Sequence, residues 1–419
     1  MNTIIRQASV QFIPRVLCMP LHLSSGVIDT VTEARAAVTV YANGREVTGH
    51  GAIYLSGQWA WPDAPITYAE RDMALQSTCR TIADRLPELC GGEAVHPLEL
   101  GLRLHEAMLR MAEAPPPLAR MMCASPFDAA LHDAAGIALG CSAFDLYRTP
   151  VAIPSADGLF TGGSAGSAIA RMLQPPQLYL DAWLIISPHD VLGDVMLPAV
   201  QRHGYRCFKL KIFGNPNEDA ARTVEVYRAA RNAGIACPRL NVDSNEGNPD
   251  ADSVLEYLHR LQALDAEAFH ALAYLEQPTH RDIQRHRYDW RRVAAVKPVM
   301  IDEGLLDASM FSEAVAQGWS GFCLKTCKGH SFSLVAAAWA QEHRLHIAMQ
   351  DLTNPGLAAI HAAQFAARIP TMNGVELNSP QYTPAANADW LPRLAGLFCP
   401  RNGQHHLVGL SSSGLGSEL

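Results

Sequence analysis

Leu240-Asn241-Val242-Asp243, Ala273-Tyr274-Leu275-Glu276 and Val299-Met300-Ile301-Asp302 are three short apolar runs, and each ends on a carboxylate. Runs of this length, rich in Val, Ile and Leu and separated by stretches of helical periodicity, read as buried parallel strands, each followed by its return helix. Working outward, the same rhythm places strand ends at Ile186, Lys211, Asp243, Glu276, Asp302, Lys325, Gln350 and Glu376, successive ends lying 23 to 33 residues apart. Eight β/α units of about 30 residues close into a barrel of about 250 residues. An open doubly wound sheet is the competing arrangement, but it places a phosphate-binding Gly-rich turn after its first strand. None stands there.

In such a barrel the strand ends form the active face. A single acid at a strand end commonly caps the next helix, but three in succession converge on one point and repel unless a cation sits among them. An all-oxygen set of Asp243, Glu276 and Asp302 suits a hard divalent ion, Mg²⁺, which keeps its remaining positions for water or substrate oxygens. Phe208-Lys209-Leu210-Lys211 ends the second strand, and alternation puts both ammonium groups on one face. Lys325 ends the sixth strand, four places round the ring from Lys211, so the two should face each other with the acids between them. That combination fits removal of a proton next to a carboxylate, where a cation offsets the charge that develops and a lysine acts as base. Burial and neighbouring cations are expected to lower the lysine pKa values toward neutrality.

Before the barrel, Ala36 to Leu55 alternates around Asn43-Gly44, a pair suited to a two-residue hairpin turn, so the chain opens with an antiparallel sheet. Helices are predicted from Thr67 to about Cys90, from His96 to Ala114 ahead of Pro115-Pro116-Pro117, and from Ser125 to Leu146. Between Tyr147 and Pro176 the composition shifts to Gly, Ser, Pro and Ala, which reads as an inserted loop or flap able to close over the pocket. Gly162-Gly163-Ser164-Ala165-Gly166 inside it satisfies the nucleophile-elbow pattern of serine hydrolases, without the buried strand that motif needs in front of it.

With 419 residues and 48% hydrophobic content, the chain can bury a large core and divide into two regions. Its 33 basic and 41 acidic residues give a net charge of -8 with no long run of one sign, which excludes a nucleic-acid or anionic-membrane footprint and leaves small molecules as partners. Ten scattered cysteines read as reduced thiols; Cys323 and Cys327 lack the second pair a zinc site needs. No leader-like segment or membrane-length apolar run is evident, so a soluble, cytoplasmic protein is expected.

Taken together, Lys209-x-Lys211, the series Asp243, Glu276 and Asp302, the contexts Glu276-Gln277-Pro278 and Asp302-Glu303, and Lys325 resemble the enolase superfamily, in particular its muconate lactonizing enzyme-like branch. Asp128-Ala129-Ala130-Leu131-His132-Asp133 resembles the helix leading into that family's barrel, and Gly414-Leu415-Gly416 its return to the cap. The resemblance implies an α/β fold, a modified TIM barrel (β/α)7β over residues 126–376 with an insertion near 148–176. Residues 1–125 and the C-terminal segment 377–419 would form an α+β capping domain. It implies Mg²⁺ on Asp243, Glu276 and Asp302, Lys211 and Lys325 as the acid/base pair, Lys209 as their electrostatic neighbour, a small-molecule carboxylate substrate and a homo-oligomer. The capping loops Leu21 to Ile28 and Gly57 to Ile66 are expected to meet the barrel mouth, and substrate contacts are expected from Trp59 and Trp61 in the second, and from His330, Gln350, Glu376 and Asn378. His330 and Tyr382 are candidates for a general acid. Lys328-Gly329-His330 departs from the branch's usual Gly-Gly pair, and Glu376-Leu377-Asn378 from the Asp-x-Asp of dipeptide epimerases. Racemisation or epimerisation is the favoured reaction; cycloisomerisation and elimination share its first step.

Overall fold

The computed structural model describes residues 2–23, 26–62, 65–112, 115–410 and 412–419. Three antiparallel strands, β1 (Thr3–Leu23), β2 (Gly26–Ala42) and β3 (Arg45–Tyr54), open the chain. Asn43 and Gly44 turn β2 into β3 at φ 50° and 79°, the left-handed conformation this pair was expected to supply. β1 and β2 form one long hairpin, paired from Thr3 opposite Ala42 to Leu23 opposite Gly26, with shifts of register between Ile5 and Gln7 and between Val16 and Leu21. Residues 21–23 and 26–28 of the expected Leu21 to Ile28 loop are therefore strand residues; Ser24 and Ser25 lie outside the described residues.

Helices Tyr68–Leu89, Pro97–Arg110 and Pro117–Leu139 pack on this sheet around Val38, Leu75, Ile82, Met108 and Phe127. Thr67 caps the first in a reciprocal box with Glu70. The second ends at Arg110, short of Ala114, which lies outside the described residues. The third starts eight residues before the predicted Ser125 and runs through Pro126. Proline takes away the N–H that would bond to Met122 O, and the Ser125 hydroxyl donates to that carbonyl instead, at 2.8 Å. This helix is buried on nearly every face, and Gly49 of β3 lets it lie close: a Cβ there would stand 2.2 Å from Ala134 N.

The segment read as a flap is packed. It holds two short helices, Pro154–Asp157 and Ala165–Met172, and buries Ile153, Phe160, Ile169 and Met172 in the core that includes Phe332 and Val335 of the His330–Glu342 helix. Small residues gave it a loop-like composition, yet Ala165, Ala168, Ile169 and Met172 supply one buried helical face. Ser164 is that helix's N-cap, accepting from Ser167 N at 3.2 Å, which disposes of the nucleophile elbow.

β4 (Tyr179–Asp181) pairs with the late strand β12 (Gln404–His406). The barrel strands are β5 (Trp183–Ile186), β6 (Cys207–Lys211), β7 (Arg239–Asp243), β8 (Leu272–Glu276), β9 (Val299–Ile301), β10 (Gly321–Lys325) and β11 (His346–Gln350), parallel and paired in chain order. Seven of the eight predicted ends are thus met, Asp302 following its strand directly. The eighth strand shrinks to two bridges, Val375 with Ala182 and Glu376 with Gln350, which close the curled sheet into a modified barrel. Among the described residues no helix is long and apolar enough to cross a membrane, and all ten cysteines are free.

Candidate active site

Register brings the chemistry together. Lys211 lies beside Asp243, and Asp243 beside Glu276, at adjacent strand ends. Asp243, Glu276 and Asp302 are each at most 1% exposed, as are Glu303 and Lys328; Lys209, Lys211 and Lys325 are nearly as buried. Lys209 Nζ lies 3.0 and 2.9 Å from the two Glu276 oxygens, 3.2 Å from Asp243 Oδ2 and 3.2 Å from Glu376 Oε2. Lys211 Nζ donates to Asp243 Oδ2 at 2.5 Å and Asn245 Oδ1 at 2.9 Å. Lys325 pairs closely with Asp302, 3.8 Å from Glu276, and Lys328 donates to Asp302 Oδ1 at 2.9 Å.

These charges set one another. Burial opposes ionisation of Asp243, but Lys211 and Lys209 outweigh it and hold its pKa down at about 2. Asp302 is likewise held well below the usual range by Lys325 and Lys328 against its burial. Glu276 is pushed up to about 8 by burial and by Asp243, and Glu303 to about 7 by burial and Asp302. For Lys209 and Lys325 the direction is the reverse of the one expected from sequence. Burial lowers both, but Glu276 with Glu376, and Asp302 with Glu276, raise them more. Lowering either pKa requires another cation to neutralise the carboxylates.

The donor set fits such a cation. Six buried carboxyl groups, Asp243, Glu276, Asp302, Glu303, Asp351 and Glu376, face four buried ammonium groups, Lys209, Lys211, Lys325 and Lys328. Glu303 Oε2, Gln350 Oε1 and Asp351 Oδ2 are buried without a hydrogen-bond partner. Among the described residues, no three His, Cys, Asp or Glu side chains stand grouped to hold a metal; Lys209 pairs with Asp243 and Lys325 with Asp302.

A cavity of about 50 Å³ opens beside these groups. Lys209, Lys211, Lys325, Asp351, Thr353, Glu376 and Asn378 line its polar side; Leu21, Ile28, Val31 and Trp59 come from the opening sheet and its following turn. None of the strand-end side chains lines the larger cavity, of about 330 Å³, between the opening sheet and Trp390. Of the expected substrate contacts, Trp59, Glu376 and Asn378 are in the lining. Gln350 lies just behind it, bonded to Glu276. Trp61 packs at the edge of the sheet-and-helix core. His330 is away from the cavity, fully buried between Tyr147 at 3.1 Å and His361 at 2.8 Å. Tyr382 is held in an apolar cluster with Leu17, Leu21, Ile28 and Tyr54. No residue of 148–176 lines the cavity.

Sequence reading missed Lys328, Asn245 and Asp351. Lys328 follows Lys325 through a 3₁₀ turn, Thr326–Lys328, whose three-residue period stacks positions i and i+3. Asn245 reaches back to Asp243 from a φ of 43°. Asp351 directly follows the Gln350 that was singled out.

A curled parallel sheet with acids and lysines at its strand ends, under a separate antiparallel sheet, defines an enolase-type barrel enzyme. The family model described as enolase C-terminal domain-like matches residues 194–418, more than half of the chain, and the chain belongs to that family. A search of curated proteins found no match. Solved structures with the same fold include a muconate lactonizing enzyme from Pseudomonas fluorescens complexed with muconolactone, 17% identical at a TM-score of 0.66 over 99% of this chain and 96% of that one. A dipeptide epimerase from Enterococcus faecalis V583 complexed with Mg and L-Leu-L-Tyr is 18% identical at 0.67, covering 99% of both chains. An N-succinyl Arg/Lys racemase from Bacillus cereus ATCC 14579 is 16% identical at 0.64, over 91% and 89%.

Proposed function

We propose that this protein is a Mg²⁺-dependent racemase or epimerase that moves the proton α to the carboxylate of an amino-acid derivative or related small molecule. The observation that carries the reading is the buried alternation of acids and lysines at successive strand ends, with Lys211 and Lys325 both lining one small cavity. Asp243, Glu276 and Asp302 would hold the ion, which when bound supplies the positive charge that makes an α proton acidic enough to remove. Lys211 and Lys325 take up and return the proton at Cα from opposite sides, Lys209 holds Glu276 and Glu376 in place, and the apolar wall of Leu21, Ile28 and Val31 keeps water away. Unpartnered oxygens of Asp351 and Asn378 favour a substrate that brings N–H donors to that side of the cavity. The epimerase and racemase among the structural relatives support this substrate class.

Cycloisomerisation is the second reading, favoured by the muconate lactonizing enzymes with the same fold. Elimination draws less support, since His330 and Tyr382 lie outside the cavity lining. On the same reading the protein works in the cytoplasm, as a homo-oligomer.

The test is incubation with Mg²⁺ in D₂O against N-acylamino acids, dipeptides, muconates and acid sugars, following α-proton exchange by NMR. Exchange with inversion, lost in Lys211→Ala, in Lys325→Ala and on chelation, supports the racemase. Ring closure or loss of water selects the alternatives. If Mg²⁺ binding, read by calorimetry, survives Asp243→Asn, Glu276→Gln and Asp302→Asn together, the reading is wrong.

A further inference from the structure

Trp59 stands in the short Gly57–Ala60 turn that follows the opening sheet, so it is contributed from outside the barrel. It is 5% exposed, and two barrel loops and the end of β10 hold it. Its Nε1 donates to Glu303 Oε1 at 2.8 Å, and its carbonyl accepts from Arg281 Nη1 at 3.1 Å. The Lys325 ammonium lies over its ring, 4.9 Å from the centroid. Glu303 Oε1 also accepts from Asn245 Nδ2 at 3.2 Å, and Asn245 Oδ1 accepts from Lys211 at 2.9 Å. A continuous line of side chains therefore joins the two lysines: Lys211, Asn245, Glu303, Trp59, Lys325.

The two ends of that line are not equivalent. Lys211 is fixed by oxygen atoms alone, and among the described residues no aromatic ring lies under its ammonium. Lys325 has one carboxylate partner in close contact and a π face on another side. An indole attracts an ammonium through the negative charge over its ring, most strongly where water is excluded. It does so without holding a proton, so it directs Lys325 without competing for what Lys325 carries.

We propose that Trp59 is a positioning residue for Lys325, an indole platform anchored on Glu303 that fixes the direction of one lysine by direct contact and reaches the other only through Glu303 and Asn245. The inference rests on the reading of Lys325 as a proton-transfer group. Its consequence is stereochemical: damage at Trp59 should impair proton transfer chiefly on one face of the substrate.

The experiment compares Trp59→Leu, which loses ring and N–H, with Trp59→Phe, which keeps a ring. Each is assayed for α-proton exchange from both configurations of a substrate the wild-type protein exchanges. For the configuration whose exchange Lys325→Ala abolishes, Trp59→Leu is expected to slow exchange by roughly 10- to 30-fold, and Trp59→Phe by less. The loss for the opposite configuration, where Trp59 acts only as cavity wall, should be at least about fivefold smaller, and Mg²⁺ affinity should stay within about twofold. Equal losses on both faces, no loss on either, or loss of Mg²⁺ binding would overturn the proposal. A second measurement needs no substrate. The fluorescence difference between wild-type protein and Trp59→Phe should change when Lys325→Met is introduced into both and not with Lys211→Met; identical difference spectra in the Lys325→Met background would also overturn it. Failure of the wild-type protein to exchange any compound, with the fluorescence result as expected, would count against the proposed reaction and leave the contact standing.

Discussion

Lys209→Met isolates the electrostatic role of the one lysine that touches three acids. The substitution keeps the side chain's length and apolar contacts and removes one charge. Glu276 loses both of its bonds to Nζ, at 3.0 and 2.9 Å, and Asp243 and Glu376 each lose a partner at 3.2 Å. Asp243 keeps Lys211, and Glu276 keeps Gln350 with Lys325 at 3.8 Å. Relief from desolvating the ammonium works in the variant's favour, but one fully buried cation has gone while the carboxyl groups it held remain. Removing one member of a buried pair costs about 3–5 kcal/mol. For a chain of 419 residues that is a fall in Tm of about 3 to 6 °C, measured by calorimetry in EDTA. On the proposed Mg²⁺ site, added Mg²⁺ should recover about 2.7 kcal/mol at 100 times its Kd. A variant as stable as wild type in EDTA would refute the view that Lys209 balances these acids.

Gly101→Ala should destabilise by about 1–3 kcal/mol in urea unfolding, because its Cβ would stand 2.0 Å from Ser331 Oγ and 2.1 Å from Asp128 Oδ1. Burial pushes His361 down to about 3 and His405 to about 4, so below pH 6.5 the unfolded chain takes up protons the folded chain refuses. Their stabilisation is complete above pH 6.5 and falls by about 1.4 kcal/mol per pH unit for each histidine as pH drops toward those values. His405→Gln should reduce the slope of stability against pH between 6 and 4 by about one proton. Ser164→Ala should cost about 1 kcal/mol of stability through the lost N-cap, and leave any activity unchanged; loss of activity would revive the hydrolase reading.

The strand ends were legible because a barrel strand must be apolar along its length and polar where it meets the site, so Lys211, Asp243, Glu276, Lys325 and Gln350 each mark a change of environment. The two-bridge eighth strand was located by spacing alone, since two paired residues leave no pattern. Helix boundaries at prolines were less legible. The third helix was started at Ser125, eight residues late, because the local repair that carries it through Pro126, the Ser125 hydroxyl on Met122 O, is a detail that composition does not reveal. The 148–176 segment was misjudged for a related reason: alanine and glycine are loop-like in bulk but are also what close helix packing selects. His330 looked available to a substrate because sequence proximity to Lys325 says nothing about which side of the following helix it faces.

The Pro117–Leu139 helix has one further consequence. Phe127 and Leu131 belong to the core under the opening sheet, Ala129 to the core of the barrel, and Asp128 bonds Ser331 of a barrel helix. Neither core is complete without this one segment, so neither can melt by itself. Heating should give a single cooperative transition, and a fragment beginning after Leu139 should fail to fold. Because Asp133 receives hydrogen bonds from the backbone of Leu415 and the hydroxyl of Ser417, a ribosome must release the chain through Ser417 before the helix acquires these partners.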